Sequence, residues 1–279
     1  MKDKIILAIK GFIFGIANII PGVSGGTIAL TMGIYEELIS SISHFFEKPK
    51  KSIIFLLPFA IGAALSILLM SKLISYSLDK FPFPTTIFFT GLIIGGVPLL
   101  TKKIQKKKVK PLNVLMFLIT FSVVICMAFM KEGTNVVSLV NPTISKMLIL
   151  TLVGMIAAAT MVIPGVSGSF VLMLLGYYEP IVNTIGNITD FSLLANNLMI
   201  LAPFGIGILV GIVLISKLIE YLFEKHETST YYAILGFIIA SVITLAMNAF
   251  SADKTNLQII FGIVLFIVGS IIGYKLGDE

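Results

Sequence analysis

Two copies of one turn motif carry the residues of this chain that are best suited to bind a ligand. The sequence PGVSG at 21–25 returns 143 positions later at 164–168, and the same Gly…Tyr-Glu spacing follows each copy. Glycine lets a backbone approach a ligand closely, and serine and threonine hydroxyls donate hydrogen bonds. The candidate substrate-binding residues are Pro21, Gly22, Ser24, Gly25, Gly26 and Thr27 in the first copy and Pro164, Gly165, Ser167, Gly168 and Ser169 in the second.

Each motif is expected to end one half-helix and to precede another, which starts at about Ile28 and about Val171. The first turn of a helix presents four unsatisfied N–H groups and the positive end of the helix dipole, and this end binds phosphate readily. The alternative is that the small residues only allow close helix packing. Two copies in corresponding positions favour a binding site for an anion.

Four charged residues at equivalent positions of the two halves are further candidates. Lys72 and Lys217 lie near the ends of apolar segments, where they either extend to the lipid headgroups or attract an anionic headgroup as substrate-binding residues. Glu36 and Glu179 follow the motif serines by 12 residues. They are either solvated or couple proton or cation movement to transport.

One polar residue near the first motif has no polar counterpart. Asn18 precedes that motif by three residues and could line the same cavity, whereas its counterpart Met161 could not. The sequence has no His/Cys/Asp cluster with metal-ligand spacing, no nucleophile–base pair within a motif and no ATPase-type phosphate loop. We therefore expect no catalytic residue, no metal and no cofactor.

The composition places these motifs in a membrane. Hydrophobic residues make up 57% and charged residues 12% of the 279 residues, and the mean hydropathy is +1.05. A soluble chain has about 25% charged residues. All 20 basic residues are lysine. An anion must therefore be bound by lysine, hydroxyls or backbone N–H groups, because no guanidinium is available.

The motifs are part of a longer internal duplication. SKLISY at 71–76 matches SKLIEY at 216–221, at nearly the same offset as the motif copies. The predicted repeats are residues 1–130 and 131–279. Each repeat begins with an apolar segment that its motif interrupts, and three further apolar segments follow in the same order.

The interrupted segments are too long for a single crossing. Residues 147–178 would span about 48 Å as one helix, more than the ~30 Å hydrocarbon core. The prediction is a re-entrant helical hairpin at 5–43 and another at 147–190. The predicted transmembrane helices are 52–71, 81–101 and 111–130 in the first repeat and 191–216, 228–252 and 255–274 in the second.

Lysine positions predict the orientation. Lysines lie at both ends of the first hairpin, Lys10 being the last of those at its N-terminal end, and a dense cluster occupies 102–110, whereas the loop 182–197 has none. The positive-inside rule then places the N- and C-termini in the cytoplasm. Three crossings per repeat invert the second repeat relative to the first. The predicted fold is therefore an all-α multi-pass membrane protein of two inverted-topology repeats. The lysine cluster is expected to attract anionic lipid, not nucleic acid.

The sequence IPGVSGGTIA at 20–29, followed by GIYEEL at 33–38, resembles the PopT-type polyprenyl-phosphate transporters, a bacterial family formerly classed as a domain of unknown function. IPGVSGSF at 163–170 and GYYEP at 176–180 resemble that family's second motif. The resemblance implies a plasma-membrane transporter, not an enzyme. It would return undecaprenyl phosphate, the lipid carrier for cell-wall glycans, from the outer to the inner leaflet. Asn18 departs from the aspartate expected there, which bears on proton coupling.

Two other functions stay open from the sequence. An intramembrane undecaprenyl-pyrophosphatase also uses inverted hairpins and a Pro-Gly-x-Ser turn, but its turn contains arginine, which this chain lacks. A small-anion or ion transporter could use the same half-helix ends. The expected partners are a polyprenyl phosphate lipid and membrane lipids, and the sequence leaves open whether the chain forms a homo-oligomer.

Overall fold

The computed structural model describes residues 2–20, 22–105, 107–130, 137–139, 142–187, 190 and 192–278, and its regular elements over these residues are α-helices. They are α1 (Lys2–Ile19), α2 (Gly25–Thr31), α3 (Tyr35–Ser43), α4 (Pro49–Lys80), α5 (Pro82–Ile104), α6 (Pro111–Phe129), α7 (Ile144–Val162), α8 (Gly168–Leu174), α9 (Tyr178–Gly186), α10 (Leu194–Ser251) and α11 (Asn256–Asp278). Pro21 and the start of the predicted second repeat at 131–136 lie outside the described residues.

Six of these helices are long and apolar enough to cross a membrane: α4, α5, α6, α7, α10 and α11. Their outer faces carry large apolar side chains such as Leu68 and Leu257, both 76% exposed. A surface of this kind suits lipid tails, because a soluble protein rarely exposes so much contiguous apolar area. The prediction of an all-α multi-pass membrane protein is confirmed.

Helix order in the second half follows helix order in the first. The long helix α10 bends at His226 (φ −133°, ψ 37°), and Phe81 has nearly the same conformation (φ −134°, ψ 54°) between α4 and α5. Thr85 and Thr230, four residues after each bend, donate hydroxyl hydrogen bonds back across it at 3.2 and 3.0 Å. The two limbs of α10, at 194–225 and 227–251, thus correspond to α4 and α5.

Each interrupted segment folds back on itself. A Cβ at Gly25, where α2 begins, would lie 2.8 Å from the Phe14 ring of α1, and a Cβ at Gly168 would meet the Met161 side chain of α7. Both half-helices begin three residues earlier than expected and have seven residues each. The reason is that the motif serine is itself the N-cap, with extended backbone before the first turn.

Lys10 does not lie in a loop, which corrects its use as a topology marker. It belongs to α1, is only 7% exposed, and donates from Nζ to the Met32 carbonyl at 3.0 Å. Met32 ends α2, where the carbonyl groups lack helical donors and attract a cation. Lys10 therefore holds α2 against α1.

Close backbone contacts join each hairpin to the helix that follows it. A Cβ at Gly11 of α1 would strike the Phe59 carbonyl of α4, and at the equivalent positions a Cβ at Gly154 of α7 would strike the Phe204 carbonyl of α10. The remaining helices pair across the predicted repeats, α5 with α11 and α6 with the second limb of α10. With these helices paired across the repeats, the two hairpins lie together in the interior.

Candidate functional site

The two helix breaks, residues 20–24 and 163–167, are in direct contact. Ser24 Oγ donates to the Ile163 carbonyl at 3.2 Å, and the Gly165 N–H donates to Thr27 Oγ1 at 2.6 Å. A Cβ at Gly26 would lie 2.6 Å from the Val162 carbonyl, so the backbones approach too closely for any side chain there. The structure thus brings the described residues of both predicted motifs together.

The motif glycines have the same conformation in both breaks. Gly22 and Gly165 each have a φ of +82°, a region that a residue with a Cβ rarely adopts. Their surroundings differ. A Cβ at Gly22 would meet only the end of the Leu245 side chain at 3.1 Å, whereas one at Gly165 would lie 2.6 Å from the Phe237 carbonyl.

A small cavity of about 70 Å³ lies between the breaks. Asn18 and Ser24 line it from the first hairpin, and Ser167 and Ser169 line it from the second. Met161 lines it as well, contrary to the expectation, because α8 folds back against this part of α7. The residues that line it are Asn18, Ile20, Val23, Ser24, Gly25, Met161, Val166, Ser167, Gly168 and Ser169, and they offer hydroxyl and amide groups but no charged side chain.

Several polar groups that line this cavity already have hydrogen-bond partners within the protein. Asn18 Nδ2 donates to the Phe14 carbonyl at 2.8 Å, and Ser24 is 3% exposed with its hydroxyl directed to Ile163. Ser167 and Ser169 share a hydroxyl–hydroxyl hydrogen bond of 2.9 Å and are only half-buried. The second break therefore presents the more accessible hydroxyls.

A larger cleft of about 380 Å³ adjoins the second break, and sequence reasoning missed one of its walls. Ser167 and Ser169 line one side, and Ser241, Thr244 and Asn248 of α10 line the other. The spacing i, i+3, i+7 of these three polar residues in an otherwise apolar segment places them on one helix face. That spacing was the signal that could have identified them.

An apolar groove of about 320 Å³ lies beside the same break, toward the bend of α10. Ile163, Pro164 and Phe237 line its inner end, and Leu218, which is half-exposed, lines its outer side. The remaining lining residues are Tyr35, Leu112, Met116, Ile215, Ile219, Leu222, His226, Ser229, Thr230, Ala233 and Ile234. The second break thus has a polar cleft and an apolar groove at its sides.

Glu36 and Glu179 occupy equivalent positions but have different surroundings. Glu36 Oε1 accepts from Lys103 Nζ at 3.3 Å and from the Tyr231 hydroxyl, so it joins α3 to α5 and to α10. Two further pairs of oppositely charged side chains connect segments at the same end of the molecule: Lys107 with Glu227, and His44 with Glu220. Glu179 is exposed and has no ion pair among the described residues.

Lys72 and Lys217 lie apart from the breaks. Both side chains are exposed, on α4 and on the first limb of α10, and neither is among the residues that line the two cavities or the groove. Among the described residues there is also no group of three or more His, Cys, Asp or Glu side chains suited to a metal ion.

Comparison with known proteins identifies relatives over nearly the whole chain. A family model described as VCA0040-like, undecaprenyl phosphate translocase-like, matches residues 14–260. A polyprenyl-phosphate transporter of Staphylococcus aureus is 36% identical over 98% of this chain and 96% of its own length. A polyprenyl-phosphate transporter of Vibrio cholerae is 32% identical over 84% of this chain and 75% of its own length. No solved structure matches the chain.

Proposed function

The chain belongs to the undecaprenyl phosphate translocase-like family and is a polyprenyl phosphate transporter, and we propose that it moves undecaprenyl phosphate from the outer to the inner leaflet of the bacterial plasma membrane. The lipid would then be reused as a carrier for cell-envelope synthesis. Its phosphate must pass a hydrocarbon layer in which an unpaired charge is very costly. A polar site in the interior removes most of that cost.

The observation that carries this proposal is the contact between the two helix breaks. Ser24 bonds to Ile163, and Gly165 bonds to Thr27, so that one cavity between them has hydroxyls from both hairpins. Irregular backbone at membrane depth is tolerated where it is buried in protein or lines a polar cavity. We assign the phosphate to this cavity and to the adjoining cleft. Neutral donors hold an anion less tightly than charged ones do, which suits a site that must release its ligand.

The apolar groove suits the first units of the prenyl chain. It lies on the other side of Pro164 and opens past Leu218 to the lipid-facing surface. The rest of the chain would remain in the bilayer, where its transfer free energy does not change. Phosphate and prenyl chain would therefore bind on two sides of the second break.

The proposed membrane arrangement places the two hairpins, at 5–43 and 147–190, in opposite leaflets. They would belong to inverted repeats, 1–130 and 131–279, with both termini in the cytoplasm. This arrangement accounts for the contact of the breaks in the interior and for the concentration of lysine at 102–110. Accessibility of single cysteines introduced near Lys107 and Asp190, in a variant without Cys126, tests the orientation. Labelling of both from the same side would contradict it.

The deciding experiment is leaflet exchange in liposomes. Wild-type protein is reconstituted with labelled undecaprenyl phosphate, and the accessible fraction of the label is followed with time. We expect exchange that depends on protein and that stops when Ser167 is replaced by phenylalanine, because the ring obstructs the cleft and removes a hydroxyl that lines it. Ser251, which is exposed and bonds to its own helix, provides the control Ser251→Phe. Absence of exchange in wild-type liposomes, with an active control flippase, would exclude the function.

Two assays separate this function from its alternatives. A pyrophosphatase would release inorganic phosphate from undecaprenyl pyrophosphate, and we expect none because the residues that line the cavity include no acid, base or cation. A channel for small anions would conduct in planar bilayers without any polyprenyl lipid. Conductance of that kind would favour the channel over the transporter.

A further inference from the structure

The second limb of α10 carries a polar stripe that has no equivalent in the other half of the chain. The stripe consists of Ser241, Thr244 and Asn248, which line the polar cleft opposite Ser167 and Ser169. At the corresponding positions of α5, 145 residues earlier, the chain has Gly96, Leu99 and Lys103. The stripe is therefore a property of one repeat alone, and the symmetry of the motifs does not account for it.

Ser241 is the residue of the stripe whose buried hydroxyl lacks a hydrogen-bond partner that a ligand could supply. Its side chain is 3% exposed, and its hydroxyl has no hydrogen-bond partner among the described residues. A buried hydroxyl without a partner costs about 1–3 kcal/mol. Serine in a helix commonly avoids this cost by bonding to the carbonyl four residues earlier. Thr244 does so, donating to the Ala240 carbonyl at 2.9 Å, but Ser241 does not.

The opposite wall supplies groups that match. Ser167 and Ser169 are bonded to each other, so the pair keeps one hydroxyl hydrogen to donate to a ligand. Asn248 lies exposed on the same helix face as Ser241, two turns further along, and its amide has no partner among the described residues. Hydroxyl and amide donors on two facing walls, with no carboxylate among the lining residues, suit a ligand that has several acceptor oxygens on one atom.

We propose that Ser241 and Asn248 of α10, together with Ser167 and Ser169 of the second break, form a binding site for a phosphate monoester. This inference rests on the proposed function and adds the residues that bind the headgroup. The site belongs to one repeat, so it binds the phosphate on one side of the contact between the breaks. The hydroxyl of Ser241 is unsatisfied without ligand and gains its partner when phosphate is bound.

The test uses the full chain in lipid nanodiscs and three probes: farnesyl phosphate, farnesol and inorganic phosphate. Wild-type protein is expected to bind farnesyl phosphate at least tenfold more tightly than farnesol. Ser241→Ala should weaken the binding of farnesyl phosphate about tenfold, the effect of losing one hydrogen bond to a charged group, and should leave farnesol unchanged. Asn248→Leu should act in the same direction.

Thermal unfolding, measured without and with ligand, distinguishes a ligand-binding serine from one that only stabilises the fold. Removing an unpaired buried hydroxyl should keep or raise the Tm of the empty protein, while the rise in Tm on adding farnesyl phosphate becomes smaller. Ser251→Ala, on the same limb but outside the cleft, is the matched control and should change neither quantity.

The outcomes separate this inference from the function. An unchanged affinity for farnesyl phosphate in both Ser241→Ala and Asn248→Leu, together with normal leaflet exchange in the wild type, overturns the site and leaves the transporter intact. Binding of inorganic phosphate that depends on Ser241, without exchange of lipid, supports the site and overturns lipid transport. Equal binding of farnesol and farnesyl phosphate by the wild type overturns the site as well, because the headgroup would then not be recognised.

Discussion

The two helix breaks have the same five residues, and the two motif glycines have the same φ, yet only the second break places its serine in the wide polar cleft, to which the first break contributes Gly22 alone. Ser24 is buried and bonded to Ile163, whereas Ser167 is half-buried and lines the cleft. The local sequence determines the turn, and the neighbouring helices determine what the turn can bind. We infer that the first break supports the second and that the second presents most of the groups for the ligand.

The largest difference between the two breaks is expected in the loss of stability when each motif glycine, Gly22 or Gly165, is replaced by alanine. Both substitutions place a Cβ at a φ of +82°, which costs about 1 kcal/mol. Gly165→Ala also places the Cβ 2.6 Å from the Phe237 carbonyl, so the total cost should exceed about 3 kcal/mol. Gly22→Ala meets only a methyl group of the buried Leu245, at 3.1 Å, which needs a smaller shift than a backbone carbonyl at 2.6 Å, so it should cost less. Thermal unfolding in detergent measures both, and equal losses of stability would contradict the contrast between the breaks.

Alanine substitution of the two motif serines, Ser24 and Ser167, should affect stability and transport to different extents. Ser24→Ala leaves the Ile163 carbonyl with only the Val166 N–H at 3.5 Å, so the free energy of unfolding should fall by about 1 kcal/mol. Ser167→Ala removes a long capping bond from the Phe170 N–H, at 3.5 Å, and the bond to Ser169, so it should lower stability by no more than Ser24→Ala does. It should slow leaflet exchange about tenfold, because the lost hydroxyl lines the cleft. Both quantities are measured on each variant. If leaflet exchange were more sensitive to Ser24→Ala than to Ser167→Ala, the first break and not the second would present most of the groups for the ligand.

A smaller contrast is expected for the two glutamates. Glu36→Gln keeps a hydrogen bond to Tyr231 but loses the attraction of Lys103, and an ion pair this exposed contributes at most about 1 kcal/mol. Exchange should therefore slow by about two- to threefold. Glu179→Gln, at the equivalent position, should leave exchange unchanged. A large effect of Glu179→Gln would point to coupling through Glu179, which itself has no ion pair among the described residues.

The smallest effect is expected for the lysine pair. Lys72→Met and Lys217→Met remove exposed charges, and at physiological salt such charges act over only about 8 Å. Exchange should slow less than twofold in each variant. Liposomes with and without anionic lipid provide the comparison. A loss as large as that of Ser167→Ala would assign the lysines a direct part in substrate binding.

Much of the fold could be predicted from the sequence, because in a membrane the apolar segments must be helices that satisfy their own backbone. The breaks were predictable too, since proline and glycine interrupt segments that are too long to cross once. Lys10 was misplaced because a lysine within an apolar run was assumed to mark a loop. In the structure it has a specific acceptor, the Met32 carbonyl.

The site was only partly predictable. The motif copies identified the serines of both breaks, and Asn18 was expected in their cavity. Ser241 and Asn248 were missed because they follow no motif and belong to a helix distant in sequence from the breaks. The packing of the second limb of α10 against the second break, where the Phe237 carbonyl lies beside Gly165, brings them there. Contacts of that kind depend on tertiary packing, which a local pattern does not encode.

The single-residue bends at Phe81 and His226 have a mechanical consequence. Close backbone contact at Gly11 and Gly154 packs α1 against α4 and α7 against α10. We infer that each hairpin moves together with the helix that follows it. The helical backbone is interrupted at Phe81 between α4 and α5 and at His226 within α10, so a rotation of these units would turn about those two residues. Phe81 precedes Pro82, which keeps it non-helical whatever its side chain. A helix-favouring alanine at His226 would therefore be the way to stiffen one bend, and it should slow the opening of the cavity without changing a group that lines it.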